Sequence, residues 1–387
     1  MNIRKASVTV AAGASAAIVC YKAIQNWKAA TLFSEHSRIK RFQHMNDVMP
    51  SNLVKTSETP SQTFEKATSH VHRSYLYKGR EQSLDHFLKR TTTTGFIVIK
   101  NNQIMLEEYL HGSDEHTRFT SWSVAKSMVS ALIGIAVDEG KIQSIQDPVD
   151  QYVPELANSA YRNVPIEHVL LMASGVQFNE DYSHPLSDIR KLFYSTLVFS
   201  QSIDNYVQSL SSNRLSGTMY RYASVDTQVL GMVLREATGV QPSEYFSRKI
   251  WKKIDAERDA YWNTDRKGND LSFCGFNATL RDYARFGKLY LQQGKWNEEQ
   301  IIPADWVSAS TQIGDTSLRK QPSLGYQYQW WVPHHENKDY LAMGVWGQFI
   351  YVHPERQTVI VKTSVDPDFE KHEKETIEVF RQLAEHM

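Results

Sequence analysis

The stretch from Phe119 to Gly140, Phe-Thr-Ser-Trp-Ser-Val-Ala-Lys-Ser-Met-Val-Ser-Ala-Leu-Ile-Gly-Ile-Ala-Val-Asp-Glu-Gly, carries a single charge, Lys126, before Asp138. Apolar residues such as Val124, Met128 and Ile135 recur at helical spacing, and Gly140 is a stop signal. The pattern predicts a helix that begins near Ser123. Ser123 and Lys126 stand three apart and share one face of its first turn. A serine at a helix N-terminus has free backbone N–H groups and the positive end of the dipole beside it. A lysine in an otherwise apolar helix is desolvated, which lowers its pKa toward the range where a neutral amine accepts a proton. Nucleophile plus adjacent base is the pair that acyl transfer needs.

Ser-x-x-Lys alone is a weak signal, since it also occurs at Ser37–Lys40 in a basic N-terminal segment and at Ser317–Lys320 in a polar loop. Neither opens an apolar helix, and both read as solvated residues. The bland reading of Ser123 is an N-cap with a snorkelling lysine behind it. A second chemical candidate follows at Tyr220-Arg221-Tyr222-Ala223-Ser224. Apolar positions from Val225 to Thr238 predict a helix stopped at Gly239, with Ser224 as N-cap and Asp226 in the first turn. Tyr222 then sits just outside a buried helix, where a phenol can point into a cleft. Beside a lysine ammonium its pKa is expected to fall, so that it relays the serine proton. The bland alternative is a packed aromatic with a hydrogen-bonded hydroxyl. Similar triplets start at Tyr161 and Tyr245, so this one is also weak by itself.

The chain has 387 residues, 41% apolar and 11% aromatic, with zero net charge. That suits a well-packed globular protein, and no global field favours nucleic acid. The two cysteines, Cys20 and Cys274, lie far apart and predict no structural disulfide. Arg4 and Lys5 precede an uncharged, Ala-rich run that Lys22 closes. Residues 1–25 read as a signal peptide or signal anchor, and the lack of acidic residues before Glu35 makes a mitochondrial presequence the rival. Export to the periplasm or membrane is the expected localisation. Residues 26–80, polar and without sustained period, read as an arm or linker.

The remainder, 81–387, reads as one domain. Thr94–Lys100 and Gln103–Leu110 predict a hairpin around Asn101-Asn102. Short helices fill the middle, including one from Val164 to Gly175, before a helix over Arg281–Gln293. Strands are predicted over Gly325–Val332, Tyr340–His353 and Thr358–Thr363, with an amphipathic helix after Glu370. Strands at both ends around a helical middle imply an α/β fold of the α+β type. Its antiparallel sheet would be built from the N- and C-terminal parts and flanked by helices, with a mostly helical lobe inserted at about 145–270.

Together, Ser123–Lys126, Tyr222-Ala223-Ser224-Val225-Asp226, Glu180-Asp181-Tyr182, the block from Asn163 to Gly175, Asp282 to Gly287 and Gly344-Val345-Trp346-Gly347-Gln348 resemble the serine β-lactamase and penicillin-recognising superfamily. The wording is similar to its class C-like branch, in particular to 6-aminohexanoate-dimer hydrolase-type and related esterase members, over about residues 70–385. The resemblance implies a β-lactamase/transpeptidase-like fold and a serine hydrolase that uses neither cofactor nor metal. Ser123 would be the acylated nucleophile, Lys126 its base and Tyr222 a proton relay. The N–H of Ser123 and that of Val345 or Trp346 would form the oxyanion hole. Asp181, Tyr182, Gly344 and Gly347 would line the substrate pocket, and Trp262, Trp330, Trp331 and Trp346 are candidate walls. Penicillin-binding members carry Lys-Thr-Gly or His-Thr-Gly on the pocket-edge strand, where this chain reads Gly-Val-Trp-Gly-Gln. Lys362-Thr363-Ser364 falls on the following strand and reads as a decoy. The class A Glu-x-x-Leu-Asn segment is also missing. Ester or short-amide substrates are therefore favoured over cell-wall peptides or β-lactams, and a non-catalytic scaffold is the alternative from another class. A membrane anchor at the N-terminus and a homodimer are left open.

Overall fold

The hairpin of Thr93–Lys100 (β1) and Gln103–Tyr109 (β2) turns on Asn101 and Asn102, both left-handed at φ 48° and 67°, which asparagine tolerates well. In this computed structural model, residues 24, 27–58, 63–68, 72–314, 324–334 and 338–386 are described. Apart from Ile24, the segment read as a signal or anchor lies outside them, as do Cys20 and Ser317–Lys320. Among the described residues, no helix is long and apolar enough to cross a membrane.

Five C-terminal strands complete the main sheet: Gly325–Gln327 (β3), Trp330–His334 (β4), Asp339–Gly344 (β5), Gln348–His353 (β6) and Thr358–Ser364 (β7). The order is β3-β4-β5-β6-β7-β1-β2, with the short strand Glu65–Lys66 parallel to β2 at the edge. β7 pairs antiparallel with β1, so the two ends of the domain meet inside one sheet. The expected α/β architecture, a β-lactamase/transpeptidase-like sheet flanked by helices with a helical lobe between its halves, is the one that forms.

Two predicted strands are corrected. Tyr340–His353 is β5 and β6, because Trp346 and Gly347 at φ 65° and 84° fold the chain back and set Gly344 opposite Gln348. Gly325–Val332 likewise spans β3 and the start of β4, around Tyr328 and Gln329 at φ 36° and 70°. Tyr328 and Gln329 carry no turn signal; Gly347 does carry one, but it stands between apolar and strand-like neighbours.

Alternation along the strands feeds two cores. Ile97, Ile99, Ile350, Val359 and Val361 face the larger one, shared with the helical lobe. Phe96, Val98, Phe349, Tyr351 and Ile360 face a smaller one under the C-terminal helix Phe369–His386. A second sheet of four short strands joins Ser51–Val54, Ala260–Asn263, Phe276–Ala278 and Phe119–Thr120. It ties the N-terminal segment to the strand that leads into the predicted nucleophile.

The helix Ala125–Asp138 (α1) is buried at every residue from Ala125 to Ala136. Trp306 packs flat on it at Gly134, where a Cβ would stand 2.3 Å from the indole. In an open helix Gly→Ala stabilises by roughly 1 kcal/mol. Here Gly134→Ala is expected instead to destabilise by about 1–3 kcal/mol through overpacking. Urea unfolding of the variant checks this, and a raised midpoint would show that Trp306 repacks freely.

Candidate active site

Ser123 is not the first residue of an α-helix but the centre of a 3₁₀ turn, Trp122–Val124, that feeds α1. Trp122 holds φ at 44°, a strained value for a bulky residue. A ring cluster fixes it there: Phe42, Phe33 and Phe193 lie 5.0, 5.7 and 6.1 Å from the Trp122 ring. On the other side β5 presses against the turn at Gly344, where a Cβ would stand 2.6 Å from the Ser121 carbonyl and 3.0 Å from the Ser123 nitrogen. Only a residue without a side chain lets the strand come this near.

Lys126, 1% exposed, points its Nζ at three oxygens. It donates to Ser123 Oγ at 2.9 Å, Ser224 Oγ at 3.1 Å and the Phe273 carbonyl at 3.0 Å. An ammonium has three protons to place, and all three find acceptors. Burial pulls its pKa down to about 8, against an upward pull from the Glu180 carboxylate. A sizeable fraction is therefore neutral near pH 8. Cys274, also buried beside this amine, has its thiol pushed up to about 12 and supplies no competing thiolate.

Tyr222 lies at the same point, its ring centroid 5.1 Å from Lys126 Nζ, and lines the same cleft as Ser123. The expected fall of its pKa is overturned. Burial, reinforced by Glu180, raises it, and the Ser123 contact offsets only part of the rise. The group is a neutral phenol, able to donate a proton.

Ser224 has a different job from the predicted N-cap. The helix Ser224–Thr238 (α2) has Ala223 at its cap position, with no side chain closing it. Glu180 closes it instead, accepting the Ser224 N–H at 2.9 Å on one oxygen and the Ser224 hydroxyl on the other. Tyr182 donates to the same carboxylate at 2.7 Å. The Ser224 hydroxyl therefore links Lys126 to Glu180. Sequence reasoning chose Asp181 from this block and passed over Glu180; the missed signal is an α2 N-terminus whose own cap residue is alanine.

A cleft of about 230 Å³ opens at Ser123, lined by Glu180, Tyr182, Tyr222, Trp331, Gly344 and Val345 among others. Asp181 lines a neighbouring cavity rather than this one, and its carboxylate turns back to the N–H groups of Ser183 and His184. Trp346 also lies on that cavity, whereas Val345 borders both. Gly347 lines neither; it is a turn residue backed against Lys362 and Ser364. Of the four candidate tryptophans, Trp262 and Trp330 are fully buried core residues, and only Trp331 borders the serine cleft. Lys362 is buried against the rings of Phe87 and Phe349 and does not line the cleft.

The beta-lactamase family profile matches residues 81–383. The 6-aminohexanoate-dimer hydrolase of Paenarthrobacter ureafaciens is 32% identical over 344 residues, 84% of this chain and 85% of that one. A Bacillus anthracis protein assigned as a 6-aminohexanoate-dimer hydrolase superposes with a TM-score of 0.82 at 25% identity, covering 91% of this chain and 95% of its own. A family VIII carboxylesterase shares the fold, with a TM-score of 0.55 at 15% identity over 71% of this chain and 87% of its own.

Because Glu180 caps α2 from a distant loop, Glu180→Ala is expected to cost about 1–2 kcal/mol in urea unfolding, the loss of a good N-cap. Glu180→Gln keeps an acceptor for the Ser224 N–H and should cost less. Equal stability of all three proteins would mean that the cap is filled by water.

Proposed function

The chain belongs to the beta-lactamase family and is a serine hydrolase; we propose that it cleaves esters or short amides through an acyl-enzyme on Ser123. The observation that carries this reading is the buried Lys126 amine set 2.9 Å from the Ser123 hydroxyl. As Ser123 Oγ attacks the substrate carbonyl carbon, the neutral amine of Lys126 takes its proton. The N–H groups of Ser123 and Val345 receive the oxyanion, Val345 being favoured over Trp346 because it borders the serine cleft. The Tyr222 phenol passes a proton to the departing oxygen or nitrogen and is recharged from the Lys126 ammonium. Water then attacks the acyl carbon, gives up its proton along the same route and releases Ser123.

The substrate class follows from what the cleft lacks. The pocket edge reads Met343-Gly344-Val345, and among the described residues that line the cleft there is no cation for the carboxylate of a cell-wall peptide or penicillin. The relatives named for 6-aminohexanoate-dimer hydrolysis support a short amide, and the carboxylesterase fold supports an ester.

Hydrolysis of p-nitrophenyl acetate is expected in the native protein and lost in Ser123→Ala. Lys126→Met should abolish turnover with the circular dichroism spectrum unchanged, and Tyr222→Phe should lower it by about 10²-fold. A Lys126→Met protein with near-native turnover would sink the mechanism. Penicillin labelling of Ser123 without ester turnover would move the substrate to cell-wall peptides.

The rate should also follow the base. Lys126 acts as the neutral amine, so activity should rise with pH through about 8 and then level off. Glu180 holds the amine's pKa up, so Glu180→Gln should move the midpoint to lower pH. A midpoint that stays put in this variant would disconnect Glu180 from the base.

A further inference from the structure

Beside the serine cleft lies a second cavity of about 270 Å³. The two share Tyr182, Val345, Phe369 and Glu370 on their linings, so they adjoin, and the second cavity lies next to a substrate held at Ser123. Its walls include the rings of Phe33, Trp122, Phe193, Tyr194 and Trp346. Two of its polar residues are engaged elsewhere. The Asp181 carboxylate accepts from Ser183 and His184, and Arg190 donates to the Tyr182 carbonyl at 3.1 Å. Glu370 sits exposed at the rim. What remains facing inward is largely aromatic.

One wall comes from outside the segment that matches the family profile. Phe33 lies in the N-terminal segment, and its ring stacks on Trp346 at 5.9 Å with an interplanar angle of 8°. Arg38 of the same segment sits 5.3 Å over the other partner's ring, Trp346, and Phe42 lies 5.7 Å from it. Leu32, Phe42, Met45 and Val48 are buried in the main core, which anchors the segment in place. Phe33 itself keeps 36% of its surface exposed and is one of the residues that line the cavity.

We propose that this cavity binds an apolar chain or ring of the substrate, and that Phe33 makes the N-terminal segment a specificity-determining part of the active site. The proposal rests on the reading of Ser123 as the acylated nucleophile. The chain enters either from the acyl side or from the leaving-group side of the scissile bond, and two substrate series tell these apart.

The first series is p-nitrophenyl acetate, butyrate and octanoate; the second is ethyl, butyl and octyl acetate. The native protein should favour the longer members of one series. In Phe33→Ala that preference should fall by about tenfold over and above any loss that the shortest ester shares. The series that responds identifies which side of the bond enters the cavity. An unchanged preference in both series overturns the proposal. So does a loss of all esters by one common factor in Phe33→Ala and Phe33→Leu alike, since Phe33 would then only brace the Trp122 turn. Failure of the serine reading has its own signature, ester turnover that survives Ser123→Ala or is missing from the native protein. In that event octanol titrated against tryptophan fluorescence decides: saturable quenching lost in Phe33→Ala upholds the cavity assignment, and no quenching in the native protein overturns it.

Discussion

A lysine amine buried to 1% exposure is the interaction on which this architecture turns. Such a group is costly to desolvate unless every proton finds an acceptor. The acceptors come from three distant points of the chain, Ser123, Ser224 and the Phe273 carbonyl. Satisfying Lys126 therefore requires α1, the start of α2 and the segment before the Phe276–Ala278 strand to meet at one point. The sheet formed by the two ends of the domain provides the outer wall, and β5 reaches the Ser123 turn only because Gly344 has no side chain. Packing and chemistry are set by the same contacts.

That dependence explains what was legible in the sequence. Ser123 and Lys126 are three residues apart, and Tyr222 precedes an obvious helix, so local periodicity marked all three as candidates and the family resemblance singled them out. The sheet, its hairpin at Asn101-Asn102 and the C-terminal helix were legible for the same reason. Glu180 was not, because its partners Ser224 and Lys126 are remote in sequence and its role is visible only from an α2 terminus with an alanine cap. The direction of the Tyr222 shift was misjudged because a nearby lysine was weighed without the burial and the carboxylate that outweigh it. The turn at Tyr328-Gln329 was hidden by an aromatic that usually populates strands, and that at Trp346-Gly347 offered a single glycine beside Val345 and Trp346.

Glu180 places one negative charge against two groups that need opposite things. It raises the pKa of Lys126, which keeps more of the proposed base protonated, and it raises that of Tyr222, which keeps the proposed relay a phenol. Burial acts on the two in opposite senses, downward for the amine and upward for the phenol. The net result separates them: an amine near 8, poised to accept, and a phenol poised to donate. The carboxylate is held off the serine itself by its bonds to Ser224 and Tyr182, so its field reaches the pair without its oxygens competing for the Ser123 proton.

The Trp122–Val124 turn adds a mechanical link. Trp122 holds its left-handed backbone among the rings of Phe33, Phe42 and Phe193. Phe33 and Phe193 also wall the cavity beside the cleft, together with Trp122 itself. A ligand that packs against these faces presses on the same cluster that keeps Ser123 aimed at Lys126. Strain at a functional residue persists only where its surroundings over-determine it. Here the surroundings include Phe33 and Phe42, which precede residues 81–383 that match the family, so the geometry of the Ser123 turn is not a property of the matched segment alone.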